Sequence, residues 1–142
     1  MNVVEQPEYI HSSVDLSRAH YAVLRAGTVL CAGVEVDPHV ISSGENLVGA
    51  RTVLRYGVIL ARGCKIGEDC YISPRVMFEN LNHRCEAIGG AKVGDGCFIG
   101  THAIIAAGIT IAPGTVIGSG ADVRKDIAEA GVYVGNPARR IK

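Results

Sequence analysis

An aliphatic residue returns at every sixth position along most of this chain. Leu24, Leu30, Val36, Ser42, Val48, Leu54, Leu60, Ile66, Ile72 and Phe78 are spaced by six without a slip, and only Ser42 is not apolar. Val93, Ile99, Ile105, Ile111, Ile117 and Val123 resume the spacing in a new phase. A second slot lies two residues before most of these. It holds Ala22, Thr28, Val34, Val40, Asn46, Thr52, Val58, Cys64, Cys70 and Val76, then Cys97, Ala103, Ile109, Thr115 and Ala121. Most of these are small or β-branched. Self-similarity at a fixed short period constrains the fold before any local propensity is considered.

Six is a poor helical period, because apolar residues on one helix face recur at three and four. It suits an extended chain, in which residues two apart point the same way. Each hexad then supplies one large and one small inward side chain before the chain turns a corner. Gly57, Gly63, Gly96, Gly108, Gly114 and Gly120 recur at hexad spacing near those corners, where a positive φ is cheapest for glycine. Three such sides close a coil of about eighteen residues, stacked on the next at roughly 4.8 Å. The expected fold is an all-β parallel β-helix of about five coils. The composition agrees: 48% of residues are hydrophobic but only 5% aromatic, with 18 Gly and no Trp, which suits a narrow interior. The pattern does not set the hand of the coil.

At 142 residues the chain reads as one domain. Ile10 and Leu16 are six apart, but continuing their phase would turn Arg18 inward. Residues 1–21 are therefore read as an N-terminal cap, 22–78 and 93–127 as coils, 79–92 as a protruding loop and 128–142 as a tail. The net charge is zero, so no whole-chain field points to nucleic acid or an anionic membrane. No apolar run approaches the length of a membrane span. Glu5, Pro7 and Glu8 sit where a signal peptide needs a basic start and an apolar stretch. The five cysteines, Cys31, Cys64, Cys70, Cys85 and Cys97, form no C-x-x-C pair and read as free thiols in a reducing cytoplasm.

The rhythm breaks once. Phe78 and Val93 are fifteen residues apart, which is not a multiple of six, so the excess must leave the coil as a loop. That loop holds Asn80, Asn82, His83, Arg84, Cys85 and Glu86, and loops on a rigid scaffold are common seats of function. A histidine suits general-base work near neutral pH. His83 is the candidate base, Asn80 and Asn82 could orient its ring or hold an acceptor, and Arg84 could meet an acidic group. Glu79 or Glu86 could fix the imidazole tautomer. At the other end, Arg124, Lys125, Arg139, Arg140 and Lys142 form a basic cluster in a neutral protein, a candidate phosphate site.

From Val93 the chain reads "VGDGCFIGTHAIIAAGITIAPGTVIGSGADVRKDIAEAGVYVGNPARRIK". The segments "IGTHAIIAAGITI", "IGSGADVRKDI" and "VGNPARRI" resemble the C-terminal end of the left-handed β-helix acetyltransferases with hexapeptide repeats, which include maltose, galactoside and other sugar acetyltransferases. "NHR" at Asn82–Arg84 is similar to the histidine loop of xenobiotic acetyltransferases, and "FEN" at Phe78–Asn80 to the F-x-N of amino-sugar acetyltransferases. The long excursion of the former is missing, and Leu81 replaces the Asp that usually follows F-x-N.

The resemblance implies a left-handed coil and a homotrimer with acetyl-CoA in the groove between subunits. It implies acetyl transfer, with no metal, to a hydroxyl or amine of a small acceptor such as a sugar. It places Thr101 and Ser119 on the pantetheine arm, and Lys125, Arg139 and Lys142 at the CoA phosphates, which Arg140 joins as a member of the basic cluster. Arg124 departs from the usual Thr. His102, beside Thr101, is read as structural or lining the cleft. Two other readings stay open. A catalytically silent β-helix would only bind or assemble. A metalloenzyme resembling the γ-class carbonic anhydrases would need two histidines five residues apart, which this sequence lacks.

Overall fold

The computed structural model describes residues 3–4 by their backbone and residues 9–142 in full. Among the described residues there is no helix, and all but one of the strands are two residues long. They stack into three sheets, and the chain visits the three in rotation, as the sides of a triangular prism. The first face is Val3–Val4, Val23–Leu24, Ile41–Ser42, Ile59–Leu60, Met77–Phe78, Ile104–Ile105 and Asp122–Val123. The second is Tyr9–Ile10, Val29–Leu30, Leu47–Val48, Lys65–Ile66, Lys92–Val93 and Thr110–Ile111. The third is Glu35–Val36, Val53–Leu54, Tyr71–Ile72, Phe98–Ile99, Val116–Ile117, Val132–Val134 and Arg139–Arg140. All pairings are parallel except the last, where Arg139–Arg140 folds back on Val132–Val134.

This is the parallel β-helix expected from the hexads, but with six or seven rungs per face in place of five coils. The extra rungs come from the ends. Val3–Val4 pairs beside Val23–Leu24, and Tyr9–Ile10 beside Val29–Leu30, within the segment read as a cap. Arg18 is exposed and Ala19 takes the buried position, because a turn closed by Ala19 N–H on Leu16 C=O inserts there.

In each two-residue strand from Tyr9–Ile10 to Asp122–Val123 the second side chain points inward and the first outward. The predicted large and small slots are all buried. Each large aliphatic side chain so buried contributes roughly 1.5–3 kcal/mol. Ser42, the one polar large slot, is accommodated by its neighbours: Thr28 Oγ1 lies 2.8 Å from its Oγ, and Asn46 Nδ2 donates to it at 2.8 Å. A buried polar group fully bonded in this way avoids the cost of an orphan.

The six predicted corner glycines all have positive φ, from 67° at Gly96 to 85° at Gly63. Glycine is not the only residue used: Tyr21, His39, Glu45, Arg51, Asp69, Arg75 and His102 turn corners at φ between 52° and 62°. A non-glycine residue in that region is uncommon and costs about 1 kcal/mol or more.

The interruption is visible in the register. Ile59 pairs with Met77, eighteen residues on, whereas Met77 pairs with Ile104, twenty-seven on. Nine residues therefore lie outside the coil, at the corner where the first face passes to the second.

Candidate functional site

The loop is a compact turn closed on its own backbone. Leu81 bridges Ala87 antiparallel, Asn82 N–H donates to Glu86 C=O at 3.1 Å, and Ile88 N–H donates to Asn80 C=O at 2.8 Å. Asn82 holds the tip: its Oδ1 accepts from the N–H groups of Arg84 (2.9 Å) and Glu86 (3.0 Å), and its Nδ2 donates to Glu86 Oε2 at 2.7 Å. Both ends of the Asn82 amide and one Glu86 oxygen are thus used in shaping the turn. The His83 ring, the Arg84 guanidinium and the Asn80 amide make no such bond. Ile88 packs the loop down on the next corner, where a Cβ on Gly108 would meet Ile88 Cγ2 at 3.0 Å, and Gly108 N–H donates to Gly89 C=O.

His83 lines a hollow of about 320 Å³ with Glu79, Leu81, Asn82, Ile88, Ala106, Ala107 and Arg124. Arg124 reaches back 45 residues to the loop root, with Nη1 3.1 Å from Glu79 Oε2. Its Nε lies 2.6 Å from Asp122 Oδ1 on the first face, a largely buried carboxylate. Asp122 first, and Glu79 after it, hold the Arg124 guanidinium above its ordinary value. The pair is legible only in three dimensions, because nothing in the spacing of residues 79 and 124 announces that they meet. Of the two carboxylates weighed for the histidine, Glu79 shares its hollow and Glu86 is bonded to Asn82. Beside the loop, Asn80 lines a second hollow of about 350 Å³ with Ile59, Met77, Phe78 and Leu81.

Thr101 and Ser119 stack at a different corner, where the third face passes to the first. A Cβ on Gly100 would lie 2.5 Å from Ser119 N, so the two rungs are packed backbone on backbone there. Thr101 C=O accepts from Gly120 N–H, while the N–H groups of Thr101 and Ser119 donate to no described atom. His102 turns this corner, exposed, at φ 62°.

The rung that begins at Ser119 runs through Asp122–Val123 to Lys125. There a hollow of about 300 Å³ is lined by Lys125, Arg139 and Arg140, with Arg124, Tyr133 and Pro137. Arg140 is committed to the C-terminal hook: its Nη1 meets Glu129 at 3.1 Å, Nη2 the Ala130 C=O, and Nε the Lys142 C=O at 2.9 Å. Among the described residues Lys125 has no ion-pair partner, and the Arg139 side chain bonds only the Ala138 C=O. Lys142 is exposed and anchors the hook through its carbonyl, outside the hollow's lining. Among the described residues no three His, Cys, Asp or Glu side chains converge as metal ligands.

The family described as bacterial transferase hexapeptide (six repeats) matches residues 90–124. A chloramphenicol acetyltransferase of Agrobacterium fabrum is 40% identical over 65 residues, 46% of this chain and 31% of that protein. The chain thus spans about a third of the length of the curated relatives it matches. The solved structure of a maltose O-acetyltransferase from Clostridium difficile 630 superposes with a TM-score of 0.64 at 31% identity, covering 82% of this chain and 69% of that one. PerB from Caulobacter crescentus, solved in complex with CoA and GDP-perosamine, shares the fold at 24% identity and a TM-score of 0.69, over 99% of this chain and 58% of that one.

Proposed function

This chain belongs to the hexapeptide-repeat acetyltransferase family, and from that membership we propose that it moves an acetyl group from acetyl-CoA to a hydroxyl or amine of a sugar-like acceptor. The observation that carries the reading is the loop. The coil expels nine residues at one corner and there presents His83, its ring unbonded, to a hollow walled by Leu81, Ile88, Ala106 and Ala107.

His83 takes the proton from the acceptor O–H or N–H as that atom attacks the thioester carbonyl. The tetrahedral oxyanion needs N–H donors, which the free amides of the Thr101 and Ser119 corner offer in kind. The C–S bond then breaks, CoA leaves as thiolate, and the proton held by His83 returns to sulfur. Lys125 and Arg139 meet the CoA phosphates with charge-assisted bonds, while Arg140 and Lys142 hold the hook that carries Arg139. Asn80 and Arg84 face the acceptor. Asn82 and Glu86 keep the tip in shape, and the Arg124–Glu79 pair ties its root to the last coil. The free thiols suit a reducing cytoplasm, where acetyl-CoA is at hand.

The loop and the amide corner flank the first face at opposite edges, and a rigid prism does not bring its own corners together. A site using both therefore draws His83 from one copy and the amides from another, as in a homotrimer. Five outward positions of the first face, Val23, Ile41, Ile59, Met77 and Ile104, are apolar, as a face covered by a second copy would be, and Asp122 at its end is held by Arg124.

The test is thiol release from acetyl-CoA across sugars, amino sugars, nucleotide sugars and small amines, with mass measured by light scattering. His83→Ala is expected to lose at least a hundredfold in turnover while remaining a trimer, the typical scale for a general base. Full activity in His83→Ala removes that residue from the mechanism, and a monomeric active protein removes the shared site.

A further inference from the structure

The corner that carries Thr101 and Ser119 continues down the prism as a column of rings and one cation. Tyr21 and His39 stack with centroids 5.3 Å apart, His39 meets Tyr56 at 5.2 Å, and the Arg75 guanidinium lies 5.6 Å from the Tyr56 centroid. His102 follows on the next rung, its N–H bonded to Pro74 C=O. Tyr21 is 63% exposed and Tyr56 40%.

Non-glycine residues at positive φ occur at all three corners, but elsewhere their side chains have partners. Glu45 faces Arg62 at 3.7 Å, and Arg51 pairs with Asp69 at 2.7 Å. At this corner the backbone accepts the same uncommon conformation at Tyr21, His39, Arg75 and His102. Yet no hydroxyl, ring nitrogen or guanidinium of the column bonds to any described atom. Tyr21 stacks on His39 and Tyr56 is tilted against it, so phenol hydroxyls, an imidazole and a guanidinium follow one another along one exposed corner. Uncommon backbone conformations on a rigid scaffold cluster at ligand sites, and here the exposed side chains carry polar groups that no protein partner occupies.

We infer that the Tyr21–His39–Tyr56–Arg75 corner is the acceptor subsite and that it takes a sugar bearing an anionic group. This rests on the acetyl-transfer reading, which puts the thioester at the Thr101 rung of the same corner. Arg75 sits one rung away, ~4.8 Å, within reach of a substituent on the ring that holds the reacting atom. Its planar donor fork, with no carboxylate against it, matches a phosphate or carboxylate. The Tyr56 hydroxyl and the His39 ring, the next rungs down, meet sugar hydroxyls.

Calorimetric titration of the CoA-saturated protein with glucose, glucose 1-phosphate, glucose 6-phosphate and glucuronic acid tests this. At least one anionic sugar should bind at least tenfold tighter than glucose, and which one separates phosphate from carboxylate. Arg75→Gly removes the cation and suits the φ of 62°, so the variant should fold; it should abolish the preference, and Arg75→Lys should keep part of it. Tyr56→Phe should weaken all four sugars by about threefold with the preference intact. Equal binding of charged and neutral sugars, no binding at all, or a preference that survives Arg75→Gly overturns the assignment. CoA is titrated first on its own. Failure to bind CoA refutes the acetyl-transfer reading, and the sugar titrations on the CoA-free protein then judge the corner separately.

Discussion

Asn46 offers a direct measure of what polar groups cost inside this prism. It is 1% exposed, and its Oδ1 accepts from Cys64 N–H at 2.7 Å while its Nδ2 donates to Ser42 Oγ at 2.8 Å and Leu60 C=O at 3.2 Å. In Asn46→Ala the Leu60 carbonyl keeps its bond from Ser43 N–H, and Ser42 keeps Thr28. Cys64 N–H is left buried with no partner, at about 1–3 kcal/mol. The missing amide volume adds about 1 kcal/mol. The expected loss is about 3 kcal/mol, read in urea titrations as a lower midpoint at unchanged slope. Thr52 isolates the first contribution, since its Oγ1 accepts from Cys70 N–H at 3.0 Å and donates to Gly67 C=O at 2.7 Å. Thr52→Val keeps the shape and orphans Cys70 N–H, so about 2 kcal/mol is expected. If either variant lies within 0.5 kcal/mol of the wild type, the premise that corner side chains close the backbone accounts of this coil is refuted.

Lys125→Ala combined with Arg139→Ala should weaken CoA binding by at least tenfold and flatten its salt dependence, because both cations line the C-terminal hollow without a carboxylate; unchanged affinity at low salt places the phosphates elsewhere. Thiol labelling of the folded protein should be fastest at the exposed Cys85, a phase lost in Cys85→Ser, with the half-buried Cys31 following. Cys64, whose thiol burial pushes up to about 11, should react only on unfolding; labelling of Cys64 in the folded Cys85→Ser protein contradicts the closed core.

The hexads made the coil legible because each inward slot reports its environment through one side chain. They also exposed Ser42 and Asn46 as exceptions, but not their solution, which needs the register that sets Thr28, Ser42, Asn46 and Cys64 around one corner. The loop was legible from a spacing of fifteen, and its histidine from the chemistry. What the loop does with Asn82 was not, because an amide that serves its own turn and one that waits for a substrate read alike in a sequence. Arg140 is similar: it sits in a basic run, yet its guanidinium is occupied by Glu129, Ala130 and Lys142. The Arg75 column was hidden for another reason. Its members stand 17 to 19 residues apart in corner positions where glycine was the expectation, and only stacking makes them neighbours.

A coil of two-residue rungs commits nearly all its backbone to the ladder and nearly all its inward side chains to the core. What remains for chemistry is the excursion at 79–89, the amides and exposed side chains of the corners, and the C-terminal hook. They are independent in structure, since the loop closes on itself and re-enters in register at Lys92, paired with both Lys65 and Thr110. A change in the loop need not disturb the rungs that present Thr101 and Ser119, so the proposed base, donor site and acceptor corner are free to vary separately. What couples them is the Arg124 bridge from Glu79 to Asp122, which fixes the loop root against the rung leading to Lys125. That guanidinium thus ties the loop that carries His83 to the C-terminal hollow of its own copy.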